Sequence, residues 1–160
     1  MSMIGTIFGE IQMEDETRVH TSDFQAPVHT DWSIPEAYMC ILLSAVYADG
    51  QAQPEEVEYL RALVKRCRTL RSQNTNGLAQ MNITVSERIK TRPDAVGEAC
   101  ATLPKDMHLP LFAHSIDIVL ADGELAEAER KFLDMLMETM DISAADAKKT
   151  MEVIFNKNRY

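Results

Sequence analysis

The chain has 160 residues, of which 25 are Asp or Glu and 16 are Lys or Arg, so its formal net charge at pH 7 is −9. Its length predicts one domain with its own core, and 46% hydrophobic with 26% charged residues excludes a disordered chain. The acidic excess argues against nucleic-acid binding, which needs clustered Lys and Arg, and favours cations or basic proteins as partners.

Residues 1–32 differ from the rest of the chain, and we predict an N-terminal extension that is partly ordered against the core. An acidic run at residues 14–16 and a loop-like stretch around Pro27 follow a few apolar residues, and no helical stripe persists through the segment. The apolar residues are Ile4, Ile7, Phe8 and Ile11.

Residues 33–160 are predicted to form one helical domain. Its first helix starts with a capping box, because Ser33 is followed three residues later by Glu36, with Pro35 in the first turn. Apolar residues recur at helical spacing as far as Val46. Gly50 is a natural residue beyond the end of this helix, since glycine adopts left-handed dihedral angles without a Cβ clash.

The second helix is predicted to start at Pro54, where a missing N–H is tolerated, and Glu55 and Glu56 follow in the turn where the helix dipole favours acids. Its apolar stripe extends to Leu70. Residues 72–77 are rich in Asn, Ser and Gly and indicate a loop or a frayed helix end.

The middle of the chain predicts two short helices, at residues 86–91 and 94–103, with Pro93 between them. A break is expected at Pro110, because proline lacks an N–H and disfavours helix at the preceding residue.

Three further helices complete the prediction. They span residues 110–122, residues 126–140, and a last segment that starts after a cap at Ser143. No segment has the pattern of a strand, so the predicted fold class is all-α, a single compact bundle of about seven helices.

One motif occurs twice. Ala48-Asp49-Gly50 recurs as Ala121-Asp122-Gly123, and each copy is followed by a glutamate at the same spacing, Asp-Gly-x5-Glu. Each copy therefore predicts a helix, an Asp-Gly stop, a short loop and a helix with Glu in its first turn. Two such hairpins are expected to pack as a pseudo-symmetric pair around one core.

The four acids of this motif are Asp49, Glu56, Asp122 and Glu129, and their spacing from apolar neighbours predicts that they point inward. Asp in a last helical turn is disfavoured by several tenths of a kcal/mol, so two such residues need a compensating interaction. In one interpretation each Asp forms an Asx turn and each Glu caps backbone donors of its own hairpin. In the other, the four carboxylates coordinate a divalent cation, in a spacing that is not that of an EF-hand.

Histidines offer weaker metal candidates. His114 and Asp117 lie three residues apart on the fifth predicted helix, a pairing that can bind a transition metal but that more often holds a partly buried His. In the extension, His20 and His29 flank a loop with Asp23 and Asp31, where a zinc site is conceivable but no spacing strongly supports one.

The sequence contains none of the Gly-x-Ser-x-Gly, P-loop or Gly-x-Gly-x-x-Gly motifs. A carboxylate di-metal site in a helical bundle normally includes Glu-x-x-His motifs, and these are absent too. An enzyme is therefore the least favoured class.

Location is predicted from what the sequence lacks. No apolar stretch is long enough for a membrane span, and the first twelve residues lack the features of a secretory signal. The three cysteines, Cys40, Cys67 and Cys100, are widely spaced and form no Cys-x-x-Cys pair. We expect a reduced, cytoplasmic protein without disulfides or direct membrane insertion.

The doubled Ala-Asp-Gly-x5-Glu pattern within seven predicted helices resembles the tellurite-resistance TerB family over about residues 33–155. It also looks like the related domain at the N-terminal side of some membrane-anchored DnaJ-type co-chaperones. The resemblance implies a compact, all-helical bacterial protein associated with resistance to tellurite and other stresses. It also implies metal binding at the acidic motif, here Asp49, Glu56, Asp122 and Glu129, and work beside integral-membrane and calcium-binding partners.

From these observations we expect a non-enzymatic stress-response protein that binds a divalent cation through the repeated motif and acts through protein partners. Such partners would place a cytoplasmic protein at the periphery of the inner membrane. The alternative is a purely structural helical interaction domain, in which the acids cap and space the helices. A carboxylate-metal enzyme is the third interpretation.

Overall fold

The computed structural model describes residues 31–160, and within that range all regular secondary structure is helical, which confirms the all-α prediction. Most of the predicted extension, with His20, His29 and Asp23, lies outside the described residues. The helices are α1 Ile34–Val46, α2 Pro54–Arg66, α3 Thr75–Thr91, α4 Ala95–Thr102, α5 His108–Val119, α6 Glu127–Thr139 and α7 Ala144–Asn158, with a 3₁₀ turn at Lys105–Met107.

Helix α1 is the centre of the domain. Nine of its 13 residues are buried, because its apolar residues occur all around the helix rather than on one stripe. It packs against α4, α5 and α3, while α6 and α7 pack on α5 from the other side. The predicted capping box is confirmed: the Ser33 hydroxyl accepts the N–H of Glu36, and the Glu36 carboxylate accepts the N–H of Ser33 at 2.8 Å.

The chain just before α1 is fixed by Trp32, which is buried in the core although the sequence placed it in the extension. Its indole N–H donates to Glu98 at 2.8 Å, and the Arg88 guanidinium lies over the ring at 4.7 Å from its centroid. Beside it, Arg92 makes two hydrogen bonds of 2.7 Å to the carboxylate of Asp31. This polar and aromatic cluster joins the start of α1 to α3 and α4.

The predicted boundary of α3 is wrong. The sequence indicated a loop at residues 72–77 and a helix only from residue 86, but α3 is one helix of 17 residues that begins at Thr75. Asn74 explains the difference, because its side-chain oxygen accepts the N–H of Gly77 at 2.7 Å and caps the helix. The polar stretch is therefore a helix start.

The limits of α5 also differ from the prediction. It starts at His108 rather than at Pro110, because the first-turn position of this proline needs no hydrogen-bonded N–H. The predicted break at Pro110 is therefore wrong, and a 3₁₀ turn at Lys105–Met107 directly precedes the helix. At its other end α5 stops at Val119, three residues before Asp122.

All three cysteines are free; Cys40 and Cys100 are buried, and Cys67 is half-buried. Burial raises the pKa of the Cys40 thiol to about 11 and that of the Cys100 thiol to about 12, as expected for small core residues. No helix within residues 31–160 has the length and apolar character needed to cross a membrane.

The two motif glycines provide a stability test of the turns. Gly50 and Gly123 have φ values of +85° and +82°, and nothing lies within 4 Å of where a Cβ would stand. Gly50→Ala and Gly123→Ala should therefore each lower the free energy of unfolding by about 1–2 kcal/mol through backbone strain alone, as measured by urea titration. Gly50→Asn should cost less, because Asn tolerates left-handed dihedral angles. Alanine variants as stable as the native chain would contradict this account.

Candidate functional site

Both copies of the repeated motif form the same turn. The N–H of Gly50 donates to the carbonyl of Tyr47 and the N–H of Gly123 donates to that of Leu120, each at 2.9 Å. With their left-handed φ values, these two turns direct the chain from α1 toward α2 and from α5 toward α6. The two copies of the Ala-Asp-Gly motif therefore share the same local backbone geometry as well as the same residues. The packing of two hairpins as a pseudo-symmetric pair stays a prediction.

The two aspartates form Asx turns, as one of the interpretations from sequence proposed. Asp49 Oδ1 accepts the N–H of Gln51 at 3.0 Å, and Asp122 Oδ1 accepts the N–H of Glu124 at 2.9 Å. The prediction that both point inward is wrong for Asp122, which is exposed, whereas Asp49 is half-buried. The reason is that α1 and α5 end before these residues, so helical spacing does not extend to them.

The two glutamates are buried, and each accepts a backbone hydrogen bond at the N-terminus of its own helix. Glu56 is 0% exposed and Glu129 is 1% exposed. Each lies at the third position of its helix, where Glu56 Oε2 accepts the N–H of Gln53 and Glu129 Oε2 accepts the N–H of Ala126, both at 3.0 Å. The side chains of the N-cap residues Gln53 and Ala126 make no capping hydrogen bond. The buried carboxylates instead satisfy the backbone N–H groups of these two residues, which have no partner within the helix.

These four carboxylates lie in one place, and we call them the acidic cluster. Burial raises the pKa of Glu56 to about 7, and the neighbouring negative charges of Glu129, Asp49 and Asp122 contribute to the rise. Burial likewise raises the pKa of Glu129, with contributions from the two aspartates, while its carboxyl group lies within hydrogen-bonding reach of that of Glu56. The fold thus brings together all four acids that the sequence singled out.

One atom of the cluster has no partner. Glu56 Oε1 is buried and accepts no hydrogen bond from the part of the chain that the structure describes. A buried acceptor without a donor is costly, at about 1–3 kcal/mol, and more so when like charges surround it. Either a proton shared with Glu129 or a bound cation would supply the missing partner.

The arrangement of the side chains leaves the metal prediction open. Within residues 31–160, no group of three or more His, Cys, Asp or Glu side chains has an arrangement that could hold a metal ion. The backbone hydrogen bonds described above engage one oxygen of each of the four carboxylates. Coordination by the acidic cluster therefore stays a prediction.

Of the weaker candidates, Asp117 belongs to a different polar group. Asp117 is buried and accepts two hydrogen bonds from Lys157 Nζ, at 2.6 and 2.8 Å, and one from the Tyr59 hydroxyl at 2.8 Å. Asn158 adds a longer bond at 3.3 Å. Burial lowers the pKa of His114.

Sequence reasoning did not identify this group. Lys157 and Tyr59 lie far along the chain from Asp117, so no local spacing pairs them, and only the packing of α2 and α7 on α5 does. These donors hydrogen-bond to the carboxylate of Asp117. Metal binding by His114 and Asp117 stays a prediction.

Comparisons with known proteins give one match. A family model described as tellurite resistance protein TerB matches residues 35–152, a range that includes both copies of the motif and all four acids. No curated protein and no solved structure matches the chain.

The raised pKa of Glu56 predicts a pH-dependent stability. As pH rises above 4.5, the ordinary pKa of Glu, the unfolded chain loses a proton that the folded chain keeps until about pH 7. The native protein therefore loses stability across this window, and above it the loss is constant. Glu56→Gln keeps the acceptor and removes the charge, so its stability relative to the native chain should grow from pH 4.5 to 7, by on the order of 3 kcal/mol.

Urea titrations at several pH values, in the presence of a chelator, measure this difference. Glu55→Gln is the matched control, because it removes one negative charge from an exposed residue in the same helical turn. Parallel pH profiles for the native chain and Glu56→Gln would contradict the prediction.

Proposed function

Because this chain belongs to the TerB family of tellurite resistance proteins, we propose that it is a non-enzymatic tellurite-resistance and stress-response protein. In this proposal the acidic cluster of Asp49, Glu56, Asp122 and Glu129 binds a divalent cation, and the protein acts through protein partners. The net charge of −9 supports basic protein partners rather than nucleic acid. Membrane-associated partners would bring a cytoplasmic protein to the inner membrane.

The observation that carries the cation proposal is the unpartnered Glu56 Oε1 among neighbouring carboxylates. Burial and, to a smaller extent, repulsion raise the pKa of Glu56; a divalent cation would neutralise that repulsion and would provide the partner that the described residues do not. Because the ligand atoms are all carboxylate oxygens, the cluster suits a hard cation such as Ca²⁺, Mg²⁺ or Mn²⁺ better than a soft one. Bound there, the ion would link the α1–α2 loop to the α5–α6 loop.

A second candidate function is a helical interaction domain in which the acids serve only the fold. The four hydrogen bonds from backbone N–H groups to these acids favour it. In this case Glu56 and Glu129 share one proton, which supplies the partner of Glu56 Oε1 without a metal. At the acidic cluster the two candidates differ in whether a cation or a proton neutralises the carboxylates.

Cation-dependent stability distinguishes the two candidates. We would measure thermal unfolding of the chelator-treated full chain with added Ca²⁺, Mg²⁺, Mn²⁺ or Zn²⁺. The cation proposal predicts a saturable rise in Tm, which corresponds to about 2.7 kcal/mol at a hundred times the Kd. The Asp49→Asn/Asp122→Asn variant should lose this rise, because Asn keeps the oxygen for each Asx turn but not the negative charge.

The matched control is Asp106→Asn/Asp134→Asn, which makes the same chemical change at two exposed aspartates outside the motif and should keep the rise. If no cation changes Tm, the protein is the helical interaction domain of the second candidate. A rise that persists in Asp49→Asn/Asp122→Asn would place the cation elsewhere and contradict the proposed site.

A further inference from the structure

Helices α2 and α3 both pack on α1 but scarcely contact each other. Between them lies an apolar groove of about 490 Å³, which we call the α2–α3 groove. Buried side chains of α1 line one side of it, and half-buried side chains of α2 and α3 line the others. The apolar lining includes Leu43, Val46, Val57, Leu60, Val64 and Leu78.

The apolar stripe of α2 is only partly covered at this groove. Val57, Leu60 and Val64 follow one another at helical spacing, and all three remain half-buried. Tyr47, at the end of the groove, is 56% exposed. A continuous half-covered apolar surface of this kind is typical of a binding site for another apolar segment.

The edge of the groove is basic. Arg61 and Lys65 are exposed and line it, and in the described part of the chain neither forms an ion pair. The surrounding stretch, residues 59–86, contains five Lys or Arg and no Asp or Glu, in a chain whose net charge is −9. An occupant of complementary chemistry would combine apolar side chains with acidic ones.

The chain itself contains such a segment before its described part. Residues 4–11 include four apolar residues, and an acidic run follows at residues 14–16. Residues 1–30 as a whole carry five Asp or Glu against one Arg. Apolar character and charge both complement the groove. The four apolar residues are Ile4, Ile7, Phe8 and Ile11.

The length of the chain allows this segment to reach the groove. Asp31 is held by Arg88 and Arg92 near the end of α3, whereas the groove lies along the start of the same helix, at Thr75 and Leu78. Because α3 has 17 residues, these points are about 25 Å apart or less. The residues between Ile11 and Asp31 span up to about 65 Å when extended.

We propose that residues 4–16 of this chain bind in the α2–α3 groove, with their apolar side chains on its walls and their acidic run beside Arg61 and Lys65. The groove is then an internal docking site for the N-terminal segment. The proposal does not depend on cation binding, because none of the groove residues belongs to the acidic cluster.

Methyl NMR of the full chain, labelled at Ile, Leu and Val methyl groups, tests the contact directly. We expect NOE cross-peaks from the Ile7 and Ile11 methyls to those of Leu60, Val64 or Leu78. The Ile7→Asp/Phe8→Asp variant should lose them and shift the groove methyl resonances, while resonances of the central core stay in place.

A charge-reversal pair tests the basic edge. Arg61→Glu/Lys65→Glu should weaken or abolish the cross-peaks, because it places negative charges beside the acidic run. Lys148→Glu/Lys149→Glu makes the same change at two exposed residues of α7 and should leave the cross-peaks intact. Equal losses in both variants would show that net charge rather than the groove edge is responsible, and would overturn the proposed register.

The remaining outcomes identify another occupant. Cross-peaks that disappear on dilution, or that appear only between differently labelled copies, would show a second copy in the groove and overturn the intramolecular proposal. Absent cross-peaks, with groove methyl shifts that are identical in the native chain and in Ile7→Asp/Phe8→Asp, would also overturn it. The groove would then be left to a separate protein.

Discussion

The arrangement of the loop end of this domain depends on two glutamates that are buried as hydrogen-bond acceptors. The N–H groups of Gln53 and Ala126 have no partner within their helices, and Glu56 and Glu129 provide one from inside the fold. A carboxylate in that position fixes where α2 and α6 begin, but it also brings charge into a region that excludes water. Glu129 and the two motif aspartates are close enough to Glu56 for their negative charges to act on it, and this repulsion disfavours the fully charged state of the four acids.

Features that depend on only a few neighbouring residues are the easiest to predict from the sequence. The cap at Ser33 and the turns at Gly50 and Gly123 depend on a few neighbouring residues, and the structure confirms them. The start of α3 is equally local, but the cap at Asn74 lies in a run of polar residues and Gly that also has the composition of a loop. The exposure of Asp122 could not be read from periodicity, because the helix ends before reaching it.

The candidate site shows the same limit at longer range. Repetition of the motif identified all four acids, but no spacing within either copy indicates that Glu56 of one approaches Glu129 of the other. That approach results from the packing of α2 and α6 on α5, and the contact of Lys157 with Asp117 results from the packing of α7 on the same helix. The family match names the TerB family of tellurite resistance proteins, while the chemistry of the cluster must come from the side chains themselves.

The cluster around Trp32 has a practical consequence for spectroscopy. Trp32 is the chain's single tryptophan, and its buried ring lies against a guanidinium group and hydrogen-bonds a carboxylate. Excitation at the red edge of the absorption band therefore reports on one environment, at the start of α1. The acidic cluster lies beyond the opposite end of that helix, about 20 Å away for 13 residues. Intrinsic fluorescence thus follows the cooperative loss of the whole fold rather than local events in the motif loops.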